Sequence, residues 1–296
     1  MHNELLIAIL AGLGGMFGWG LADFFAKKTI DEIGAIKSLV WAHSFGATLF
    51  ILITLGQVFV RNQSVDTPAT VSAWAGLVFF GALQMIVYWL VYEGFNKGQL
   101  AVLNPVFASY SGLVALISII FFGENLGVAL GIGLVALFFG IVLMNLDIKG
   151  LKSKQLNIVP GLKEVGAAAI LAAVWTVGWD RFIDGKDALS YAMFMYIFMT
   201  AAAFVLAAIM KVTLRGISPG LKKFLVLIGI SEVLAYLAIS WGFSETSLTS
   251  IVALVSGSFS LPTIVLAFIF LKERISQLQV AAIAVIIAGI ALVSIG

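Results

Sequence analysis

Cysteine is absent from the 296-residue chain, and histidine occurs only at His2 and His43. The first absence excludes disulfides, thiolate nucleophiles and cysteine-ligated metals. Two histidines form no metal cluster, so neither a metal nor a cofactor is expected. Charge is scarce as well: Asp, Glu, Lys and Arg make up 11% of the residues, against about 25% in an ordinary soluble domain. Most of a surface built this way must face something other than water. A net charge of +2 spread over many loops argues against nucleic acid as a partner. No Walker A sequence is present, so ATP hydrolysis is not the energy source.

What fills the chain is apolar: 61% of residues are hydrophobic and the mean hydropathy is +1.11. Bilayer-length runs fall at about ten places, near 5–26, 36–60, 71–92, 99–122, 126–146, 165–183, 188–210, 224–243, 247–270 and 276–295. The first starts at Leu5 with no basic segment ahead of it and is long enough to span, so a cleaved signal peptide is not expected. In lipid the backbone must satisfy its own hydrogen bonds, so these runs are helices. The expected fold is an all-α integral membrane protein of the cell (inner or cytoplasmic) membrane, with the lipid bilayer as its main partner.

The longest polar segment, "DIKGLKSKQLNIVPGLKE" at 147–164, divides the chain almost in half. It reads as a basic cytoplasmic linker between a first five-helix unit, 1–146, and a second, 165–296. The halves resemble each other. "GFNKGQLAVLNPVFASYSGLVALISIIFFGE" (Gly94–Glu124) matches "GFSETSLTSIVALVSGSFSLPTIVLAFIFLKE" (Gly242–Glu273) with one added residue. Gly140-Ile141 answers Gly289-Ile290, and Asp23 answers Asp180. Five spans is an odd number, so the second unit is expected to enter the membrane inverted. Inverted repeats are typical of secondary transporters, with the binding site at the repeat interface near the midplane. Of the 17 Lys and Arg residues, all but Arg61, Arg181 and Lys186 fall in alternate loops. That bias puts the basic loops in the cytoplasm and both termini outside.

Three stretches carry a resemblance to a known family: "GWGLADFFAKK", "LNPVFASYSGLVALISIIFFGENL" and "SLTSIVALVSGSFSLPTIVLAFIFLKERISQLQ". With them the sequence resembles the EamA-type members of the drug/metabolite transporter superfamily over nearly its whole length. The resemblance implies a ten-helix inverted-repeat carrier of small polar metabolites. It does not fix the substrate.

Among the ionisable residues, Asp23 lies four positions from Lys27 and Asp180 adjoins Arg181, so both are expected to be interfacial anchors. Inverted topology sets them at opposite ends of the membrane, which rules out an aspartyl dyad. Glu124 and Glu273 precede the last helix of each unit and read as charges at helix N-termini. Glu232 is different. It lies eight residues from Phe224, or about 12 Å along a helix, near mid-membrane. A shift of 148 residues places Gln84 opposite Glu232 and Tyr88 opposite Tyr236. Each pair is i,i+4 on one helical face.

An acid at that depth is a functional residue by default, the alternative being an interhelical hydrogen bond that only holds the bundle together. No Lys or Arg lies deep in any span, so Glu232 has no evident counter-ion and is expected to serve an amine or a proton. His43 is either a proton relay or a hydrogen-bonded core residue. Trp19 belongs to the faces able to line a cavity, and Asn104 accompanies Pro105. Pro105 and Pro262 remove helical hydrogen bonds, which marks either gates or ordinary kinks. The glycines of the first run let helices approach closely.

The expected function is a secondary active transporter, not an enzyme. It moves a small polar metabolite, with amino acids or other amine-bearing solutes favoured, by alternating access and with a proton as a possible coupling partner. The expected cavity residues are Glu232, Gln84, Tyr88, Tyr236, His43, Trp19 and Asn104. A fused inverted pair is able to work as a monomer, and a dimer stays open. The alternatives are an intramembrane enzyme, which would need a nucleophile, metal cluster or facing acid pair, and a membrane scaffold, which would need no inverted repeat or buried acid.

Overall fold

The computed structural model of the chain describes residues 2–98, 100–124, 127–144, 160–271 and 277–295. Most of the expected linker, up to residue 159, lies outside them, as does Glu273. Every element among the described residues is an α-helix: α1 (His2–Ile33), α2 (Ala35–Arg61), α3 (Val71–Lys97), α4 (Leu100–Ala108), α5 (Tyr110–Phe122), α6 (Val128–Met144), α7 (Leu162–Ile183), α8 (Ala188–Ile209), α9 (Pro219–Glu245), α10 (Thr249–Gly257), α11 (Ser260–Leu271) and α12 (Gln277–Ile295). Seven stretches among the described residues are long and apolar enough to cross a membrane. Shorter apolar helices at Val106–Phe122, Leu130–Ile141 and Val280–Leu292 accompany them. Large side chains such as Phe59, Phe121, Phe139, Ile170 and Phe270 stay exposed, as expected where the surrounding solvent is hydrocarbon.

Local chemistry sets the helix ends. Gly34, at φ +82°, turns the chain between α1 and α2, in a conformation that costs glycine nothing. The Thr70 side chain accepts the Ala73 amide at the start of α3, and the Asp187 carboxylate accepts the Ser190 amide at the start of α8. Pro219 opens α9, where a missing N–H leaves no gap in the helical ladder.

Helix breaks fall elsewhere than at the two prolines singled out as gates or kinks. The interruptions are at Ser109, between α4 and α5, and at Ser258–Phe259, between α10 and α11. Pro262 is the third residue of α11, within the first turn, where its absent N–H has no intrahelical partner to lose. Pro105 sits within α4, and the helix continues for three residues beyond it.

α1 and α9 run antiparallel along a seam of small residues. A Cβ added at Gly14 would stand 2.4 Å from the Ala238 Cβ, and one at Gly18 2.7 Å from the Ala235 Cβ. Such seams are how membrane helices pack without a hydrophobic effect between them. α6 and α12 are also antiparallel and meet at two glycines. Gly140 abuts Ile286, and Gly289 abuts Leu137.

Charged groups gather at the ends of the bundle. At one end Lys97 pairs with Glu164 at 2.8 Å, Lys27 donates to the Phe95 carbonyl at 3.1 Å, and Lys37 donates to the Arg215 carbonyl. At the other, Arg181 lies 4.0 Å over the Phe122 ring. There the Ser250 amide and hydroxyl both donate to Glu124. Glu124 was expected at the N-terminus of the following helix; its carboxylate instead holds the N-terminus of α10, from the other half of the chain. Burial raises the Glu124 carboxyl above its ordinary value of 4.5, and the two Ser250 hydrogen bonds pull it part of the way back.

Candidate functional site

α3 and α9 are each 27 residues long. Val71 to Pro219 is 148 residues, and so is Lys97 to Glu245. The two helices also end alike, with the Gly98 amide donating to the Gly94 carbonyl and the Thr246 amide to the Gly242 carbonyl, both at 3.0 Å. Gln84 and Glu232 are therefore the central residues of equivalent helices. Polar groups at these two positions are as far from the helix ends as the helices allow.

Glu232 is fully buried. The Tyr196 hydroxyl, on α8, donates to its Oε2 at 2.6 Å. His43 Nε2, on α2, stands 3.2 Å from the same oxygen, outside the angle of a formed hydrogen bond. The imidazole sits edge-on between Tyr88 and Tyr196, with ring centroids 5.1 and 5.5 Å away. One turn along α9, the Tyr236 hydroxyl accepts the Gln84 amide at 2.7 Å. Its ring meets Tyr196 at 5.5 Å and Trp19 and Trp175 at 6.0 Å each. Within the cluster Gln84 Oε1, Glu232 Oε1, both His43 nitrogens and the Tyr88 hydroxyl are left without a hydrogen bond. A buried acceptor in that condition costs about 1–3 kcal/mol.

Beside this cluster lies a cavity of about 30 Å³, measured as space open to water centres. One water needs about 10–15 Å³ on that measure, so the cavity holds a few waters or a very small solute. Trp19, Asp23, Gln84, Tyr88, Trp175 and Thr176 contribute to its wall, and neither Lys nor Arg does.

Most of the expected residues thus come together, in two layers. Trp19, Gln84 and Tyr88 face the cavity, whereas Glu232, His43 and Tyr236 stand behind them in the α2–α3–α8–α9 packing. Asn104 is brought in by a different route: its amide donates to Asp23 Oδ2 at 2.6 Å, and its carbonyl accepts the Ser260 hydroxyl at 2.5 Å. Pro105 and Pro262 flank this arrangement in sequence.

At the site the structure corrects the reading of the aspartates and adds a residue. Asp23 is no interfacial anchor: it is 7% exposed and paired with Asn104, while Lys27 pairs with Asp31 at 2.7 Å. The i,i+4 spacing to Lys27 misled, because Lys27 reaches outward along the helix. Asp180 keeps its expected neighbour, with Arg181 Nε at 3.6 Å, but at 5% exposure it is buried as well and is no more an interfacial anchor than Asp23. Tyr196 was missed. Its only sequence signal is a polar tip in the middle of an apolar run, a property it shares with several other aromatics of this chain.

Comparison with known proteins agrees with this architecture. The sequence model of the EamA-like transporter family matches twice, over residues 6–146 and 165–295. An uncharacterized protein of Methanocaldococcus jannaschii is 28% identical over 142 residues, which is 47% of this chain and 97% of the relative. A protein known from its crystal structure is 19% identical and superposes with a TM-score of 0.76, covering 97% of this chain and 96% of that one. At that identity the match speaks for the fold alone.

Proposed function

The chain belongs to the EamA-like transporter family, and on that premise we propose that it is a secondary active transporter of a small amine-bearing metabolite. In this reading the ten apolar runs are ten spans, with α4–α5 and α10–α11 as broken spans, arranged as two inverted five-helix units joined by the 147–164 linker. The symmetric contacts of Gly140 with Ile286 and Gly289 with Leu137 support inversion. A two-fold axis lying in the membrane plane would exchange them. One unit rocks against the other around the central cavity, giving alternating access. The basic end faces the cytoplasm and both termini face outward.

The observation that carries this reading is the polar cluster at the helix midpoints, Glu232–Tyr196–His43 with Gln84–Tyr236, built from both halves and set against a cavity without Lys or Arg. A scaffold has no use for a buried, incompletely bonded acid at that depth. An enzyme would need a nucleophile or metal cluster, and among the described residues no three His, Asp or Glu side chains form a metal-holding group. Glu232 and His43 form the proposed proton site.

Counterflow of labelled amines and amino acids into proteoliposomes tests the reading. Uptake above that of protein-free liposomes is expected for at least one small amine-bearing solute. Uptake indistinguishable from empty liposomes across the panel would contradict it.

A further inference from the structure

Asp23 is the one carboxylate among the described residues of the cavity wall. Glu232 lies a layer deeper and is already held by Tyr196 and flanked by His43. Of the two Asp23 oxygens, one takes the Asn104 amide, and the other carries no hydrogen bond from the described residues. Asn104 is in turn fixed by Ser260, so the first and second halves of the chain jointly aim this carboxylate. Gln84 lines the same cavity and has a buried carbonyl oxygen with no donor. Trp19, Tyr88 and Trp175 also line it, and aromatic faces favour cations.

From this geometry we infer that Asp23, positioned by Asn104 and Ser260, is the cation-binding group of the cavity, and that its ligand is a small primary ammonium without a carboxylate. The inference rests on the transport reading and narrows its substrate class. An ammonium has three N–H donors, which suits the open Asp23 oxygen and the Gln84 carbonyl together. A quaternary ammonium has none and would leave Gln84 unbonded.

The exclusion of a ligand carboxylate follows from what the cavity lacks. Among the described residues no Lys or Arg lines it. The N-termini of α5 and α11 adjoin it, and helix N-termini attract anions through free amides. Here the amides of Ser109, Gly112, Ser258, Phe259 and Leu261 are already bonded to carbonyls of the preceding turn. A zwitterionic amino acid would bury its carboxylate near Asp23 and Glu232 with no cation among the described wall residues to compensate it; the unpartnered Tyr88 hydroxyl offers only a neutral donor.

Calorimetric titration of the full chain in detergent, with ethylammonium, alanine and tetramethylammonium at one neutral pH, tests this. Ethylammonium is expected to bind, and alanine and tetramethylammonium to bind more weakly by roughly tenfold or more, as for the loss of one charge-assisted hydrogen bond. Asp23→Asn is expected to lose ethylammonium affinity by a similar factor, with its melting temperature and gel filtration reporting folding. Asp23→Glu, which keeps the charge but shifts it from Asn104, and Ser260→Ala should each weaken binding by a smaller factor.

Equal ethylammonium affinity in a folded Asp23→Asn, or alanine binding as tightly as ethylammonium in the wild type, overturns the inference. A wild type that binds none of the three overturns it too. Proteoliposome counterflow of other solutes then decides separately whether the transport reading survives.

Discussion

The Gln84 amide donates to the Tyr236 hydroxyl at 2.7 Å, although the two residues lie in different halves of the chain. Each sits on one of the two matched 27-residue helices. The bond crosses between units that are proposed to move against each other. It is consequently both a stability element and a contact between the two halves.

A double-mutant cycle of Gln84→Ala and Tyr236→Phe measures that bond. Side-chain hydrogen bonds between membrane helices average about 0.6 kcal/mol and reach about 1.7. A coupling energy in that range is expected from unfolding in mixed micelles. Strict additivity of the two single variants would mean that the bond contributes nothing.

The α1–α9 seam leaves no room for side-chain growth. Gly14→Val and Gly18→Val should each destabilise by about 1–3 kcal/mol, the cost of overpacking, read as a lower melting temperature. Gly166→Ala is the control. It lies within α7 with open space around its Cα, so the helical preference of alanine should stabilise by about 0.5–1 kcal/mol. Equal melting of Gly18→Val and the wild type would contradict the close approach of the two helices.

Glu124 links α10 to the segment following α5 through two hydrogen bonds from Ser250. Glu124→Ala strands the Ser250 amide and should cost about 1–3 kcal/mol. The pH dependence has a definite sign. The carboxyl is raised by burial above 4.5, so the folded state holds the proton more tightly than the unfolded. Its contribution to stability is fully present below 4.5 and is lost as pH rises through the raised value. Glu124→Gln should flatten that part of the profile of melting temperature against pH.

Absence of cysteine makes topology directly measurable. Single cysteines at Ser64 and Ser218, in the loops before α3 and α9, should react with membrane-impermeant maleimide from opposite sides of intact cells. Ser64→Cys is expected to label from outside and Ser218→Cys only after permeabilisation. The reverse pattern would contradict the proposed orientation.

Much of the architecture is legible in the sequence because the bilayer is a simple solvent. Apolar run length locates the long helices, and a constant 148-residue shift identifies Gln84 and Glu232 as equivalents. What stayed hidden depends on distant partners. Asp23 has a tempting neighbour at Lys27, whereas its bonded partner Asn104 lies 81 residues away. Glu124 does meet a helix N-terminus, but one reached across 126 residues rather than the next in the chain. Proline flags a break without fixing its place: at Pro262 the helix simply starts. The layering of the site, with Asp23 at the cavity and Glu232 behind it, arises from tertiary packing that no local spacing encodes.

The central claim is that a buried acid at the centre of α9 couples solute movement to a proton. Glu232 is in contact with His43 from α2 and Tyr196 from α8, and it interacts electrostatically with Tyr88 and Tyr92 from α3, Asp23 from α1 and Tyr236 on its own helix. Glu232→Gln keeps the size and the Tyr196 hydrogen bond while removing the exchangeable carboxyl proton. The most direct measurement is counterflow and pH-gradient-driven flux of the transported amine in proteoliposomes, for wild type and Glu232→Gln, at several pH values. Wild-type flux should respond to the gradient, and the variant should lose that response and most of its pH dependence. Unchanged rates and an unchanged pH profile in Glu232→Gln would contradict the claim and remove Glu232 from the mechanism.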